Sequence, residues 1–165
     1  MELLRQIFTG TNLALLGAGL AVALPCIGSA KGVSIVGEAS SGLLQDDPGK
    51  FGKALALQAL PMTQGVYGLV AAFLVLFQMG LFGGTYTELT LIQGTYFLLA
   101  AVPYAVVGLF SAVRQGRVSA AGVSLIAKRG DQLGKAITSA ALVETYAIFA
   151  LLITLLMVFM CPFLG

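Results

Sequence analysis

Apolar positions fall into four long runs separated by short polar breaks. The first run covers residues 11–43 and ends at Asp46-Asp47-Pro48-Gly49. Proline and glycine beside carboxylates punctuate a chain in this way. The second run covers 51–81, and Gly83-Gly84-Thr85 with Glu88 marks the next turn. The third covers 91–127 and stops at Lys128-Arg129-Gly130-Asp131, and the fourth covers 132–161 and is closed by Pro162. A helix needs about 20 apolar residues to cross a bilayer, so each run predicts one transmembrane helix. Several runs exceed that length, and their polar ends are expected to continue as helix into water.

Composition strengthens this reading. Of 165 residues, 58% are hydrophobic and 10% charged, with no histidine and no tryptophan. Mean hydropathy is +0.96, far above that of an average soluble domain. The expected class is an all-α membrane protein, one membrane domain over 1–165. Charge is too scarce for a nucleic-acid surface. The two cysteines, Cys26 and Cys161, lie in apolar runs without any metal-binding spacing, and read as packing residues. The N-terminal run continues past Ser29 without a polar break, unlike a cleaved signal peptide.

Basic residues are unevenly placed. Lys31, Lys50, Lys53, Arg114, Arg117, Lys128, Arg129 and Lys135 flank the first and third connections, and the remaining one is Arg5. By the positive-inside rule the connections around 44–50 and 128–132 are cytoplasmic and both termini lie outside.

The halves repeat. Gly52-Lys53-Ala54 recurs as Gly134-Lys135-Ala136, and Thr63 matches Thr145, at an offset of 82 positions (145 − 63). Met62 then falls opposite Glu144. In the first helix of each half the offset is 85 (118 − 33), with Val33-Ser34 and Gly37 against Val118-Ser119 and Gly122. This predicts a duplicated helical hairpin, 11–81 and 91–162, in parallel repeat. Small residues at Gly108, Ala112, Gly116, Ala120 and Ser124, and a GxxxG at Gly28 and Gly32, favour close helix approach.

The candidate chemistry centres on Glu144, a lone carboxylate in the apolar run 136–160. A charge at that depth costs roughly 3 kcal/mol on insertion scales and marks a functional site by default. Gln115 lies 13 positions before Lys128 (128 − 115) and Glu144 lies 13 after Asp131 (144 − 131), so an antiparallel hairpin brings them to one depth. Thr63, Gln64 and Tyr67 reach the same depth through the repeat offset. Pro61 precedes them and leaves the Leu57 carbonyl without its usual helical donor. One carboxylate, two amide oxygens and a hydroxyl suit a hard cation. Charge neutrality in low dielectric favours a monovalent one. Sodium fits. A proton would also neutralise Glu144 but needs no such shell, and a helix-tying hydrogen-bond network is the bland alternative.

The stretch Leu60-Pro61-Met62-Thr63-Gln64-Gly65-Val66-Tyr67-Gly68 resembles a known family, as do Gly108-Leu109-Phe110-Ser111 leading to Gln115-Gly116, and Val143-Glu144-Thr145-Tyr146-Ala147. That family is the rotor-ring proteolipids of V-type ATPases, and the resemblance is closest to subunit K of the bacterial sodium-transporting kind. Gly28-Ser29-Ala30-Lys31-Gly32 and Phe51-Gly52-Lys53-Ala54-Leu55 share in it. The resemblance implies copies of the chain assembled into an oligomeric ring, helices one and three inside. It implies one Na+ per protomer, with the Leu60 carbonyl, Thr63, Gln64, Gln115 and Glu144 as ligands and Tyr67 as the hydrogen-bond partner of the glutamate. It implies a subunit that is no enzyme by itself and has no organic cofactor. Its partners would be lipid, a stator membrane subunit supplying an arginine, and central-shaft subunits on the cytoplasmic side. The same ring carrying H+ is the alternative. A lone tetraspan transporter or a purely structural membrane protein are the readings from other classes.

Overall fold

A computed structural model describes residues 7–82 and 88–162. The turn expected at Gly83-Gly84-Thr85 and the basic Arg5 lie outside the described residues. The described residues form α1 (Gly10–Asp46), α2 (Phe51–Ala59), α3 (Thr63–Gln78), α4 (Leu91–Lys128) and α5 (Leu133–Phe159), with short turns between them. A 3-10 turn, Leu60–Met62, joins α2 to α3, so the two make one membrane crossing. Among the described residues four helical spans are long and apolar enough to cross a bilayer: Gly10–Asp46, Pro48–Gln78, Leu91–Lys128 and Gly130–Phe159. At 1.5 Å per residue α1 and α4 each reach about 55 Å, well beyond the hydrocarbon layer.

Local chemistry sets the ends. Thr9 caps α1 by accepting from the Asn12 amide at 3.2 Å. Thr90 opens α4 with a capping box completed by Gln93. Gly80, at φ 74°, takes the left-handed position that terminates α3, which a residue bearing a Cβ resists. Asp47 and Arg129 close α1 and α4 with nearly the same backbone angles (φ/ψ −143°/85° and −137°/80°), each followed by a 3-10 turn. These caps stand 82 positions apart (129 − 47), the offset read from the sequence. Lys50 donates to the Ala127 carbonyl at 2.8 Å and Lys53 to the Gly130 carbonyl at 3.0 Å. Both connections therefore lie at one end of the bundle. Lys50 there satisfies a carbonyl at the negative end of α4, and Lys53 one in the 3-10 turn just beyond it.

Helices α1 and α4 run parallel and pack most extensively on each other; α5 lies against α4, and α3 against α1. Glycine makes the α1–α4 approach possible. A Cβ at Gly116 would meet the Gly32 Cα at 2.5 Å, and one at Gly17 would meet the Leu98 Cα at 2.8 Å. One at Gly28 would collide with the Leu109 carbonyl. The small-residue row on α4 takes part only over its first half. Gly108, Ala112 and Gly116 are buried, Ala120 is half-buried and Ser124 is exposed. A four-residue step overshoots a helical turn by about 40°, so the row winds off the contact face. Ser119, Gly122, Val123 and Ile126 replace it there.

The outward faces of α3 and α5 carry exposed Leu69, Phe73, Phe77, Leu142, Phe149, Leu152 and Leu156. Such a surface is stable only against lipid or other protein. Cys26 is exposed and Cys161 half-buried, so the packing role expected of them is only partial. The Cys26 sulfur lies 3.8 Å from the Gly65 carbonyl oxygen.

Gly116→Ala is expected to lower the melting temperature of the detergent-purified protein, at a cost of about 1–3 kcal/mol for overpacking. Gly134→Ala, where a Cβ meets nothing within 4 Å, should hold or raise it through helix propensity.

Candidate ion-binding site

The second crossing is broken where polar side chains gather. Pro61 has no amide to give Leu57, and the helix tightens into the 3-10 turn before resuming at Thr63. Thr63, Gln64, Gly65 and Val66 then form the first turn of the resumed helix. The Thr63 amide and hydroxyl both turn back to the Leu60 carbonyl, the hydroxyl at 2.9 Å. The Thr63 hydroxyl also lies 3.4 Å from Gln64 Oε1. Three oxygens are thus concentrated on one turn of backbone.

From there a line of bonds crosses the bundle. Gln64 Nε2 donates to Gln115 Oε1 of α4 at 2.6 Å. Gln115 Nε2 donates to Glu144 Oε2 of α5 and to the Ala140 carbonyl, both at 3.2 Å. Tyr67 of α3 donates its hydroxyl to Glu144 Oε1 at 3.0 Å. All six positions singled out in the sequence, Leu60, Thr63, Gln64, Tyr67, Gln115 and Glu144, therefore lie in one network. Gln64 and Gln115 are fully buried at 0% exposure, and Glu144 is half-buried. Two uncharged side chains donate to the carboxylate, and among the described residues no basic side chain forms an ion pair with it. Arg114, next to Gln115 in sequence, is exposed, because one residue turns a helix by about 100°.

Sequence reasoning missed three members. Ser111 donates to the Val143 carbonyl at 3.2 Å and lies 3.5 Å from Gln64 Nε2. Tyr104, fully buried, donates its hydroxyl to the Gln64 carbonyl at 2.7 Å. Ser29 of α1 accepts the Gly65 amide at 2.9 Å. Serine and tyrosine in apolar helices carry no positional signal until the facing helix is known. A groove of about 420 Å³ lined by Leu142, Val143, Thr145, Tyr146 and Phe149 runs beside Glu144 on the outer side.

The two helical hairpins that build this site are matched in known proteins. The profile of the C-type subunits of ATP synthase fits residues 16–75 and again 98–157. The chain belongs to this ATP synthase C-type family. The two matches start 82 positions apart (98 − 16), so the duplication read from the sequence is a duplication of this family's unit. Membership makes the chain a multi-pass membrane proteolipid of the rotor-ring class, part of a rotary ATPase complex and not a catalyst on its own. Among relatives, V-type sodium ATPase subunit K of Enterococcus hirae is 45% identical over 149 residues, 90% of this chain and 92% of that one. A-type ATP synthase subunit K of Methanocaldococcus jannaschii is 37% identical over 145 residues, 88% of this chain and 61% of that one.

Gln115→Ala is expected to cost about 2–5 kcal/mol, because it opens a cavity, takes the short bond from the buried Gln64 amide and removes a donor from Glu144. Thr145→Ala, which loses only a bond to the Ala141 carbonyl of its own helix, should stay within about 0.5 kcal/mol. Thermal unfolding of the two purified variants against the parent measures the contrast.

Proposed function

We propose that the chain forms a homo-oligomeric rotor ring that carries one Na+ per protomer at Glu144 during ATP-driven rotation. The observation that carries this reading is the oxygen-rich turn beside the carboxylate. The Leu60 carbonyl, the Thr63 hydroxyl and Gln64 Oε1 converge on one turn, and Gln115 Oε1 stands between that turn and Glu144. A proton would need only the carboxylate and one acceptor. Two fully buried amides beside it would then be a costly excess of polarity in a membrane interior. A relative whose name records sodium supports the same choice.

In this reading the Leu60 carbonyl, Thr63, Gln64, Gln115 and Glu144 ligate the ion, and Tyr67 holds the carboxylate by its hydroxyl. Ion binding exchanges the hydrogen bond between the two amides for ion–oxygen contacts. The loaded site is neutral overall and tolerates the lipid face; an empty, ionised Glu144 does not. Unloading therefore needs a fixed cationic partner on a stator protein. Such an arginine belongs to another chain in this scheme, since Arg114 is exposed and unattached to Glu144. Charge placement puts the ends bearing Lys50, Lys53, Lys128 and Arg129 in the cytoplasm, facing the shaft, with both termini outside. Hairpins 11–81 and 91–162 are the two units of the ring wall.

Labelling of Glu144 in membranes by a hydrophobic carbodiimide tests the ion. The reagent attacks a protonated carboxyl in an apolar setting. Sodium is expected to suppress labelling, with the protecting concentration rising as pH falls because proton and Na+ compete for one carboxylate. Labelling that is indifferent to sodium at every pH would make the ring a proton carrier. Glu144→Gln is expected to abolish sodium transport while the assembled complex is retained, since the amide keeps the volume and loses the charge; residual transport would remove Glu144 from its role.

A further inference from the structure

The weakest point of the site is its backbone. Leu60–Met62 is a 3-10 turn between two helical pieces, and it lacks a complete α-helical ladder. The side chains of Thr63 and Gln64 hang from the first turn beyond it. Unless something outside the second crossing fixes that turn, α3 can swing about the break and spread the oxygens.

The Gln64–Gly65 peptide is fixed from both sides. Its carbonyl accepts the Tyr104 hydroxyl of α4 at 2.7 Å, and its N–H donates to Ser29 Oγ of α1 at 2.9 Å. Both bonds are buried; Tyr104 is 0% exposed and Ser29 6%. Tyr104 is itself anchored: its backbone N–H donates to Thr154 Oγ1 of α5 at 3.2 Å. A Cβ at Gly108, one turn on, would lie 2.9 Å from the Pro25 Cγ and 3.3 Å from the Tyr104 Cζ, so glycine there lets the proline and the ring pack close. Gly65 matters in the same way, since a Cβ there would lie 3.3 Å from Ser29 Oγ.

We infer that Tyr104 and Ser29 are positioning residues that set the ion affinity of the site by clamping the Gln64–Gly65 peptide between the two inner helices. Neither side chain is a ligand. The clamp ties the broken crossing to α4, which supplies Gln115, and so fixes the distance between the two amides. The inference rests on the ion-carrying role of Glu144 proposed above and adds the residues that tune it.

The test compares Tyr104→Phe with Tyr96→Phe in membranes containing the assembled complex. Tyr96 makes a similar bond between α4 and α5, its hydroxyl donating to the Met157 carbonyl at 2.9 Å, but near the far end of both helices. The readout is the NaCl concentration that half-protects Glu144 from carbodiimide labelling. Tyr104→Phe should raise it by about three- to tenfold, the worth of one net hydrogen bond, and Tyr96→Phe should leave it unchanged even where both variants melt earlier. Ser29→Ala should move it in the same direction and carries the test if Tyr104→Phe fails to assemble. An unchanged midpoint in Tyr104→Phe and Ser29→Ala, or an equal shift in Tyr96→Phe, overturns the clamp. If sodium does not protect the unsubstituted protein, the sodium reading falls and the clamp is read from the pH midpoint of labelling instead. Tyr104→Phe must then shift that midpoint while Tyr96→Phe does not, and one midpoint for all three overturns the clamp.

Discussion

A carboxylate cannot stay in hydrocarbon without donors, and the architecture of this chain follows from that requirement. Glu144 takes one hydroxyl from the second crossing and one amide from the third. For both to arrive at one depth, three spans must hold a fixed register. Gln115 reaches across the bundle to Gln64, and the bond between them is possible only where the helices come close. The close approach of α1 to α4 at Gly28, Gly32 and Gly116 supplies the rigid inner pair. Ser29 and Tyr104 project from that pair toward the broken crossing. The glycine contacts and the polar network thus belong to one device: the first sets how near the helices lie, the second uses the nearness.

Duplication explains why the halves look alike and behave differently. The caps at Asp47 and Arg129 share their backbone angles and the 3-10 turn that follows. In the first half, however, the position matching Glu144 is Met62, which is exposed on the outer face. An apolar side chain there is content against lipid, so nothing need be gathered round it. The first hairpin instead lends its own polar residues, Thr63, Gln64 and Tyr67, to the carboxylate of the second. One site built from two hairpins halves the number of buried charges and doubles the groups available to satisfy each.

The fold was largely legible in the sequence because the bilayer imposes a length. Four apolar runs broken by Asp-Asp-Pro-Gly and Lys-Arg-Gly-Asp leave little choice of topology, and the helices begin and end within a few residues of those breaks. The depth of Gln115 and Glu144 was legible too, since both are counted from one turn. What stayed hidden depends on rotation about the helix axis. Ser29, Ser111 and Tyr104 sit in apolar runs where many serines and tyrosines bond only to their own helix, as Ser34 and Ser41 do. The four-residue row of small side chains misled in the same way. It marks the contact face as far as Gly116 and then winds away, because spacing along a chain does not fix the angle at which neighbours meet.

The unequal burial of the polar residues has a mechanical consequence for an ion carrier. Gln64 and Gln115 are enclosed by the bundle and tied at both ends, whereas Glu144 is half-buried on the outermost helix, beside the open groove of Leu142, Tyr146 and Phe149. Releasing a bound cation by moving the amides would break several buried bonds and disturb α1 and α4 together. Moving the Glu144 side chain breaks two, those to Tyr67 and Gln115, and leaves the shell standing. If Glu144 carries the ion as proposed, exchange therefore falls to the one group that carries the charge and faces outward. In the proposed reading the buried helices that carry the amide and hydroxyl oxygens stay in place, and reloading exchanges only the hydrogen bonds among those side chains. In the same reading a positive group on a stator protein acts directly on the side chain that moves, so the charge that disfavours an empty site in lipid also provides the handle by which the site is emptied.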